Sequence, residues 1–445
     1  MSNIVTISQL RKQKLLFPVL FILVFGFQLI NYQNNDSVAN VNNDAIELKT
    51  TPVIRLSDNI GQGSFLPEIA TDSSGNVHVV WEDNSANDVI FYRKYFRNND
   101  SWSDKEILSN ITENRHSRFP IIKIDTKDNI HVLWRDSGFF VPSTLNYRHY
   151  NGRNWSDIEI VSEVIDVTFA HDLVSFNNTT FIIWNNESVF EPYELYYKQY
   201  NRINKSWSTT TQLTNSNHSS IAPKMAIDSE QKIHLVWVDS SNTSNGAEIF
   251  YQYFSNNSWH PQEPLIVSTI DEIYSSRPSI TTSDEELVHV VWQDSTYPID
   301  EIHYRSIHAG NLSEDQLISG ELQFGLYPAS CSDEAGNVHI VWYENEHINY
   351  KRRDASGDFS KTFNVTTNEP SFLIIFPKIA VYKNEIHIVW NDYLKDNSWE
   401  VYYIKSKLLF NNRLIFATLI PINALLLIQF LFVVIFKVRK RYDRK

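Results

Sequence analysis

One short pattern recurs seven times between residues 66 and 392 and constrains this 445-residue chain more than any other feature. Each copy has an apolar residue before proline, a strand of alternating apolar residues, a turn, and a strand of the type His-Val-x-Trp-x-Asp. The anchoring tryptophans are Trp81, Trp134, Trp184, Trp237, Trp292, Trp342 and Trp390. Successive tryptophans are 48 to 55 residues apart. A period of this length is typical of propeller blades or solenoid units.

Each copy continues with two more strands. The third strand is rich in Tyr and Phe, as in VIFYRKYF at residues 89–96, and the fourth is short, as in KEILS at residues 105–109. Four antiparallel strands in each of seven copies predict an all-β fold, a seven-bladed β-propeller. The seventh copy has no fourth strand of its own. We predict that Val53–Ser57, with the matching sequence VIRLS, completes the last blade and closes the ring.

Two apolar segments flank the repeats. Residues 15–30 are an apolar run preceded by three basic residues, which predicts a signal peptide or a signal anchor and leaves its cleavage open. Residues 414–436 contain no charge and predict a transmembrane helix. We expect a basic cytoplasmic N-terminus at 1–14, a linker at 31–52, the propeller at 53–407 and a basic cytoplasmic tail at 437–445. The basic flanks place the propeller on the extracytoplasmic side of the cell membrane, with one anchor or two.

The composition excludes some classes of protein. The formal net charge is −13, from 39 Lys and Arg against 52 Asp and Glu, which argues against a nucleic-acid partner. Cys331 is the only cysteine, so no internal disulfide can form and a packed core must supply the stability. Asn-x-Ser/Thr sequons are frequent and indicate glycosylation of an exported domain. The candidate acceptors are Asn99, Asn110, Asn154, Asn204, Asn242, Asn256, Asn311 and Asn364.

A histidine precedes the tryptophan by three residues in six of the copies, as in His78 and Trp81. The equivalent positions lie in different blades, too far apart to share a metal ion. Phe181 occupies the same position in the third copy, which indicates a packing role. We therefore predict no metal site and no cofactor.

Two groups of residues are candidates for ligand binding at the face with the longer loops. Acidic residues end the second strands and either hydrogen-bond to their own loops or form a polar ring at the channel mouth: Asp83, Asp136, Asp239, Asp294 and Asp392. Two connections combine basic, acidic and aromatic groups that could hold an acidic sugar by bidentate arginine contacts, or could be solvated loop charges: Glu113, Arg115 and Arg118 before blade two, and Glu272, Tyr274 and Arg277 before blade five.

The turn Gly152-Arg153-Asn154-Trp155 keeps the Gly-x-x-Trp spacing of the Asp box, with Tyr150 where the box has aspartate. On this turn and the blade repeat, the chain resembles the sialidase-like superfamily of Asp-box (BNR) propellers, and in particular membrane-anchored surface propellers of prokaryotes, archaea included. Sialidases have six blades, whereas seven copies occur here. The resemblance implies an arginine triad, a Tyr/Glu nucleophile pair and an acid Asp. Arg115, Arg118 and Arg277 are available, but no motif assigns them, and no catalytic residue is predicted.

These observations lead to a main functional hypothesis and two alternatives. The main hypothesis is a membrane-anchored surface module that recognises glycans or protein partners. The first alternative is a sialidase-like exo-glycosidase, which would need three arginines, two carboxylates and a tyrosine in one pocket. The second is a scaffold whose partner lies in the membrane, because Asn423 and Gln429 could hydrogen-bond to another helix.

Overall fold

The computed structural model describes residues 46–58, 63–84, 88–111, 115–138, 141–164, 170–188, 191–241, 246–269, 274–283, 286–296, 299–320, 323–366, 374–393 and 398–410. The predicted membrane segments at 15–30 and 414–436 lie outside these ranges. Within them, no helix is long and apolar enough to cross a bilayer.

The described residues form seven antiparallel sheets, and each sheet is one blade with its strands in the order first, second, third and fourth from the centre outwards. The first strands are Ser64–Thr71, His116–Ile124, His171–Phe176, Ser220–Ile227, Ser275–Thr282, Gly325–Ser332 and Ile374–Tyr382. The second strands are Val77–Asp83, Ile130–Gly138, Thr179–Ser188, Ile233–Asp239, Val288–Thr296, Val338–Glu344 and Glu385–Tyr393. The third strands are Val89–Phe96, Val141–Tyr150, Glu191–Asn201, Glu248–Ser255, Ile299–His308, His347–Arg353 and Trp399–Phe410.

The fourth strands are short, and in four blades they are split into two segments. They are Ser101–Trp102 with Glu106–Ile107, Glu159–Val164, Ser206–Trp207 with Thr211–Gln212, Ser258–Ile266, Asn311–Leu312 with Gln316–Leu317, Phe363–Asn364, and, in blade seven, Ile46–Thr50 with Ile54–Arg55. The predicted seven-bladed propeller is therefore confirmed.

The N-terminal segment closes the ring as predicted. Ile54 and Arg55 pair with the third strand of blade seven, and the Ser57 hydroxyl accepts a hydrogen bond from the backbone N–H of Val401 at 2.8 Å. Ser109 makes the equivalent bond to its own third strand in blade one. Arg55 and Ser57 also contact the buried carboxylate of Glu400. The N-terminal strand thus reproduces the fourth strand of a complete blade.

The sheet extends beyond both predicted ends of the propeller. Residues 46–50, which the sequence analysis assigned to a linker, pair along the third strand of blade seven in the register Ile46 to Phe410. The pairing forms because alternate residues of this segment, Ile46 and Leu48, pack on the core between blades six and seven. Both ends of the described chain therefore lie together at one end of blade seven.

Tryptophan burial joins each blade to the one before it. All seven anchoring tryptophans are at most 2% exposed. Trp134 of blade two, for example, packs against Val80, Ile90 and Tyr92 of blade one. Trp81 of blade one belongs to a cluster with residues of blade seven, so the same contact crosses the closure. Full burial of a large side chain stabilises a fold by roughly 1.5–3 kcal/mol, and here the contribution is repeated around the ring.

The repeated histidine links three strands of its blade. In blade one the His78 Nε2–H donates to Asp72 at 3.2 Å, and Nδ1 accepts from the Tyr92 hydroxyl at 2.8 Å. Blades two, four and six repeat this Asp–His–Tyr set around His131, His234 and His339. Blade three replaces two members together: Phe181 stacks on Tyr197, and Phe176 takes the register position of the aspartate. The predicted packing role is thus joined by a hydrogen-bonding one.

Burial favours the neutral form of five of the repeated histidines. Burial lowers the pKa of His78, His131 and His339, and lowers that of His289 and His387 to about 3. Burial raises the pKa of Asp72, but hydrogen bonds from His78 and Asn76 outweigh it, so the pKa lies below its usual value. Among the described residues, no three His, Cys, Asp or Glu side chains are grouped as a metal site.

We expect the propeller to lose stability as the pH falls from about 6.5 towards 3. The unfolded chain takes up protons at its histidines below their ordinary pKa of 6.5, and the folded chain does not until the pH approaches the lowered values. Each such histidine contributes a slope of about 1.4 kcal/mol per pH unit. Urea unfolding as a function of pH measures this slope.

The variant His289→Phe copies the residue that blade three already uses. Its free energy of unfolding should depend less steeply on pH than that of the wild type, because about one proton fewer is taken up on unfolding. An unchanged slope would show that His289 is protonated in the folded state and would contradict the neutral assignment.

Candidate functional site

The first strands surround an axial channel with a cavity of about 400 Å³. A second cavity of about 250 Å³ lies at the end where the first strands begin, and it is called here the mouth pocket. Its lining residues are Leu66, Glu68, Phe119, Pro120, Ile121, Ala170, His171, Ala222, Lys224, Arg277, Pro278, Tyr327, Pro328, Phe376, Pro377 and Lys378. Every blade contributes to it, so the pocket exists only in the closed ring.

A repeated backbone irregularity shapes the wall of the mouth pocket. In six blades the residue before the proline of the repeat has a positive φ between 50° and 57°: Leu66, Phe119, Ala222, Arg277, Tyr327 and Phe376. The register of the first and second strands shifts at the same place, which is a β-bulge. A bulge redirects a side chain, and a left-handed conformation at a non-glycine residue costs roughly 1–2 kcal/mol. Backbone strain of this kind is concentrated at functional sites.

The wall of the pocket is mainly aromatic on one side. The rings of Tyr327 and Phe376 lie 4.5 Å apart, and the Arg277 guanidinium lies 4.3 Å above the Tyr327 ring. Phe119 is covered in the same way by Arg135 at 5.0 Å. Aromatic rings in contact with guanidinium groups thus line this side of the pocket.

The floor of the mouth pocket is charged. Glu68, Lys224 and Lys378 line both cavities, so they lie where the pocket meets the channel. Glu68 forms an ion pair with Lys378 at 2.6 Å. Deeper in the channel, Lys123 lies 3.8 Å from Asp172. The described channel therefore contains three lysines and two carboxylates, an excess of one positive charge.

Lys224 is the lysine without a partner. Among the residues that the structure describes, its ammonium group makes no hydrogen bond and has no carboxylate within 4 Å. Burial lowers its pKa, Asp172 and Glu68 partly oppose this, and Lys378 and Lys123 add to it. The Lys224 side chain is half-buried, and an ammonium group without a counter-ion in a partly enclosed pocket is one that an anionic ligand would stabilise.

His171 offers a complementary hydrogen-bonding group in the same pocket. Its side chain is buried, and its Nε2–H donates to the carbonyl of Phe119 at 2.8 Å. Its Nδ1 has no hydrogen-bond partner among the described residues. Burial, followed by the positive charge of Lys224, lowers the pKa of His171 to about 3. Burial thus favours the neutral ring, and Nδ1 is a buried acceptor at the edge of the pocket whose hydrogen-bonding capacity is unused.

The acidic residues that end the second strands form hydrogen bonds within their own blades. Asp83 accepts hydrogen bonds from the Ser64 hydroxyl at 2.8 Å and from the Trp81 indole at 3.3 Å. Asp136, Asp239 and Asp294 each accept the same pair of bonds from a serine and a tryptophan of their blade. Asp392 is also buried. These carboxylates fasten the start of the first strand to the second strand, which is the structural alternative of the two that the sequence left open.

The predicted arginines are separated. Arg118 pairs with Asp88 at 2.7 Å, and Arg115 donates to the Thr144 hydroxyl at 2.9 Å. Only Arg277 lines the mouth pocket, and Tyr274, although exposed, is not among the lining residues. Glu113 and Glu272 lie outside the described residues. Within the described part of the chain, the pocket has one arginine, one tyrosine and one glutamate, so the arrangement expected of a sialidase is not assembled.

Lys224, Lys378, Glu68 and His171 were not predicted as site residues. His171 lies opposite Trp184, where the other blades have the bulge residue and the proline. Glu68, Lys224 and Lys378 occupy the next position, immediately after the proline, and Asp172 takes this position in blade three. In the other blades this position holds Ile121, Ser279 and Ala329. A comparison of the seven copies at this position would have shown charged residues on the channel-facing side of the first strands.

Comparisons with known proteins support the fold. No family model matches the chain, and no curated protein matches it. It is similar in structure to a protein of unknown function from Dyadobacter fermentans, with a TM-score of 0.54, 10% identity, and coverage of 81% of this chain and 99% of that one. It is also similar to the polysaccharide lyase Uly1, with a TM-score of 0.53, 11% identity, and coverage of 79% and 91%.

A further similar structure is an ulvan lyase of family PL25 bound to -[GlcA(1-4)Rha3S]-, with a TM-score of 0.53, 8% identity, and coverage of 75% and 90%. At these identities the likeness shows a shared β-propeller fold.

The Asp–Trp–Ser contact can be tested in blade four. Asp239→Ala leaves the Trp237 indole N–H and the Ser220 hydroxyl without their acceptor, so we expect a loss of about 1–3 kcal/mol in the free energy of unfolding. Denaturant unfolding measures it, and Asp157→Ala on an exposed turn is the control, expected within about 0.5 kcal/mol of wild type. Equal stabilities of the two variants would contradict the structural role.

Proposed function

We propose that this protein is a surface recognition module that binds an acidic glycan in the mouth pocket. The observation behind the proposal is the unpaired ammonium of Lys224 at the floor of an aromatic-walled pocket. The anion expected there is a carboxylate or sulfate on a sugar, held by Lys224 with Arg277 at the wall.

The walls suit a carbohydrate ligand. Ligand sites are typically apolar and aromatic concavities with a few polar groups that fix orientation. Here Tyr327 and Phe376 offer flat faces to the C–H side of a sugar ring, and Nδ1 of His171 accepts a hydrogen bond from a hydroxyl. The volume of about 250 Å³, open to the channel below, suits the end of a chain or a short stretch of it.

The ends of the chain support a surface location. Ile46 and Phe410 pair at the end of blade seven that is remote from the mouth pocket, because the third strand runs away from the mouth face. With Phe410 only a few residues before the predicted membrane segment at 414–436, the mouth would face away from the bilayer. Anchoring and extracytoplasmic placement are part of the proposal.

The fold relatives guide the choice of ligands to test. One ulvan lyase structure contains -[GlcA(1-4)Rha3S]-, which combines an acidic sugar with a sulfated one. The panel should therefore include this fragment and unsulfated glucuronate-containing oligosaccharides, with the carboxyl-reduced counterparts of the unsulfated ones as neutral ligands of equal size.

Lys224→Met should weaken binding of an acidic oligosaccharide by roughly 10- to 100-fold, because a charge-assisted hydrogen bond contributes about 1.5–3 kcal/mol. The carboxyl-reduced ligand should bind wild type and variant equally. Isothermal titration calorimetry on the full chain in detergent gives both affinities. Lys123→Met, which removes a lysine from the channel below the pocket, should retain the wild-type affinity.

The acidic-glycan proposal fails if the wild-type protein binds acidic and neutral ligands equally well. It also fails if no ligand of the panel binds. Binding that survives Lys224→Met but is lost in Lys123→Met would place the ligand deeper in the channel and would also contradict it.

The same substitution should stabilise the protein without ligand. Removal of a desolvated charge that has no counter-ion is expected to add on the order of 0.5–2 kcal/mol to the free energy of unfolding. Thermal unfolding of the free protein measures the effect. A clear destabilisation by Lys224→Met would show that the ammonium already has a partner and would remove the basis for an anion site.

A further inference from the structure

Five sequons lie at one place in the fold. Asn99, Asn154, Asn204, Asn256 and Asn311 occupy the hairpin between the third and fourth strands in blades one to five. All five side chains are exposed. These hairpins form the outer rim of the face opposite the mouth pocket, because each third strand runs away from the mouth.

The fold alone does not require these sequons. The same hairpins contain a serine whose hydroxyl accepts a backbone N–H of the third strand: Ser103, Ser156, Ser208 and Ser313. In blades two and five this serine is also the third residue of the sequon. In blades one, three and four the sequon uses a different serine, Ser101, Ser206 or Ser258. The sequons thus occur in different registers at one location, which a simple copy of a structural motif would not produce.

The acceptor amides on this rim are available. Four of the five make no side-chain hydrogen bond among the described residues, and Asn311 makes only a long one of 3.4 Å to Ala309. The sequon asparagines elsewhere in blade three differ. Asn177 donates its amide N–H to Gln231 at 2.5 Å, and the side-chain oxygen of Asn186 is buried. Asn178 is half-buried, and its side-chain oxygen accepts from Lys127 at 3.4 Å.

We infer that the rim of blades one to five is an N-glycosylated surface, with Asn99, Asn154, Asn204, Asn256 and Asn311 as the modified residues. In the reaction, the side-chain nitrogen of asparagine forms a bond to C1 of an oligosaccharide carried on a lipid phosphate. The bond between C1 and the phosphate oxygen breaks, the amide loses one proton, and the lipid phosphate leaves. The inference requires the extracytoplasmic placement but not the ligand proposed for the mouth pocket.

The arrangement divides the surface of the propeller. Blade six has Asp354–Asp358 at the equivalent hairpin, without a sequon, and in blade seven the N-terminal segment supplies the fourth strand, so no such hairpin exists there. Glycans at the five rim positions would therefore cover five consecutive blades on the hairpin face, and the corresponding rims of blades six and seven would carry none. These five glycans would lie on the face opposite the mouth pocket.

Peptide mass spectrometry of the full chain, purified from the membranes of its own cells, tests the inference. We expect oligosaccharide on the peptides of the five rim asparagines and none on Asn177, Asn178 or Asn186. The inference is overturned if the five are unmodified, or if modification is no more frequent on the rim than at those three positions.

Matched variants in blade four verify the assignment site by site. Asn256→Gln and Ser258→Ala destroy the sequon, whereas Asn257→Gln and Ser258→Thr keep it, and Asn256 and Asn257 share a left-handed backbone. The first two variants should each lose one oligosaccharide mass from the intact protein, and the last two should keep it. If all four variants carry the same number of oligosaccharides, the assignment of Asn256 is overturned.

Discussion

A buried imidazole in six of the seven blades links the second strand to a tyrosine on the third. In four blades it also donates to an aspartate at the turn after the first strand. This arrangement fixes the hairpin on one face of the ring and leaves the opposite ends of the first strands to bulge. The mouth pocket depends on those bulges, so a contact that most blades share positions residues that differ from blade to blade.

The Asp–Trp–Ser contact has a similar role at the other end of the blade. Because Asp83 and its equivalents are used within the sheet, the carboxylates that looked most like a ligand ring are removed from the surface. The chemistry of the pocket then falls to the bulge residues and to the residues on either side of the bulge-proline position on the first strands. Stability and recognition are thus divided between positions that differ by only a few residues along the same strands.

Much of the fold could be predicted from the sequence because a propeller repeats its constraints. The spacing of Trp81 to Trp390 predicted the blade count, and the match of Val53–Ser57 to the fourth-strand pattern predicted the closure. The strand at residues 46–50 was not predicted because only one of its five residues is buried. A short edge strand of this kind resembles a polar linker in sequence.

The site was harder to predict because its residues are not alike. Lys224 and His171 lie one register position apart in successive blades, and only their convergence around the axis gives them a shared environment. Arg118 is of the residue type expected in an acidic-sugar site, but its guanidinium is paired with Asp88. Pairing of charges across strands is a property of the three-dimensional structure that residue type alone does not show.

A crystal structure of the propeller with a glucuronate-containing oligosaccharide tests the central claim most directly. The account predicts an acidic group within hydrogen-bond distance of Lys224 Nζ, a sugar ring against Tyr327 or Phe376, and a hydroxyl bonded to Nδ1 of His171. A ligand bound on the hairpin face or between blade rims, with the mouth pocket unchanged, would contradict it.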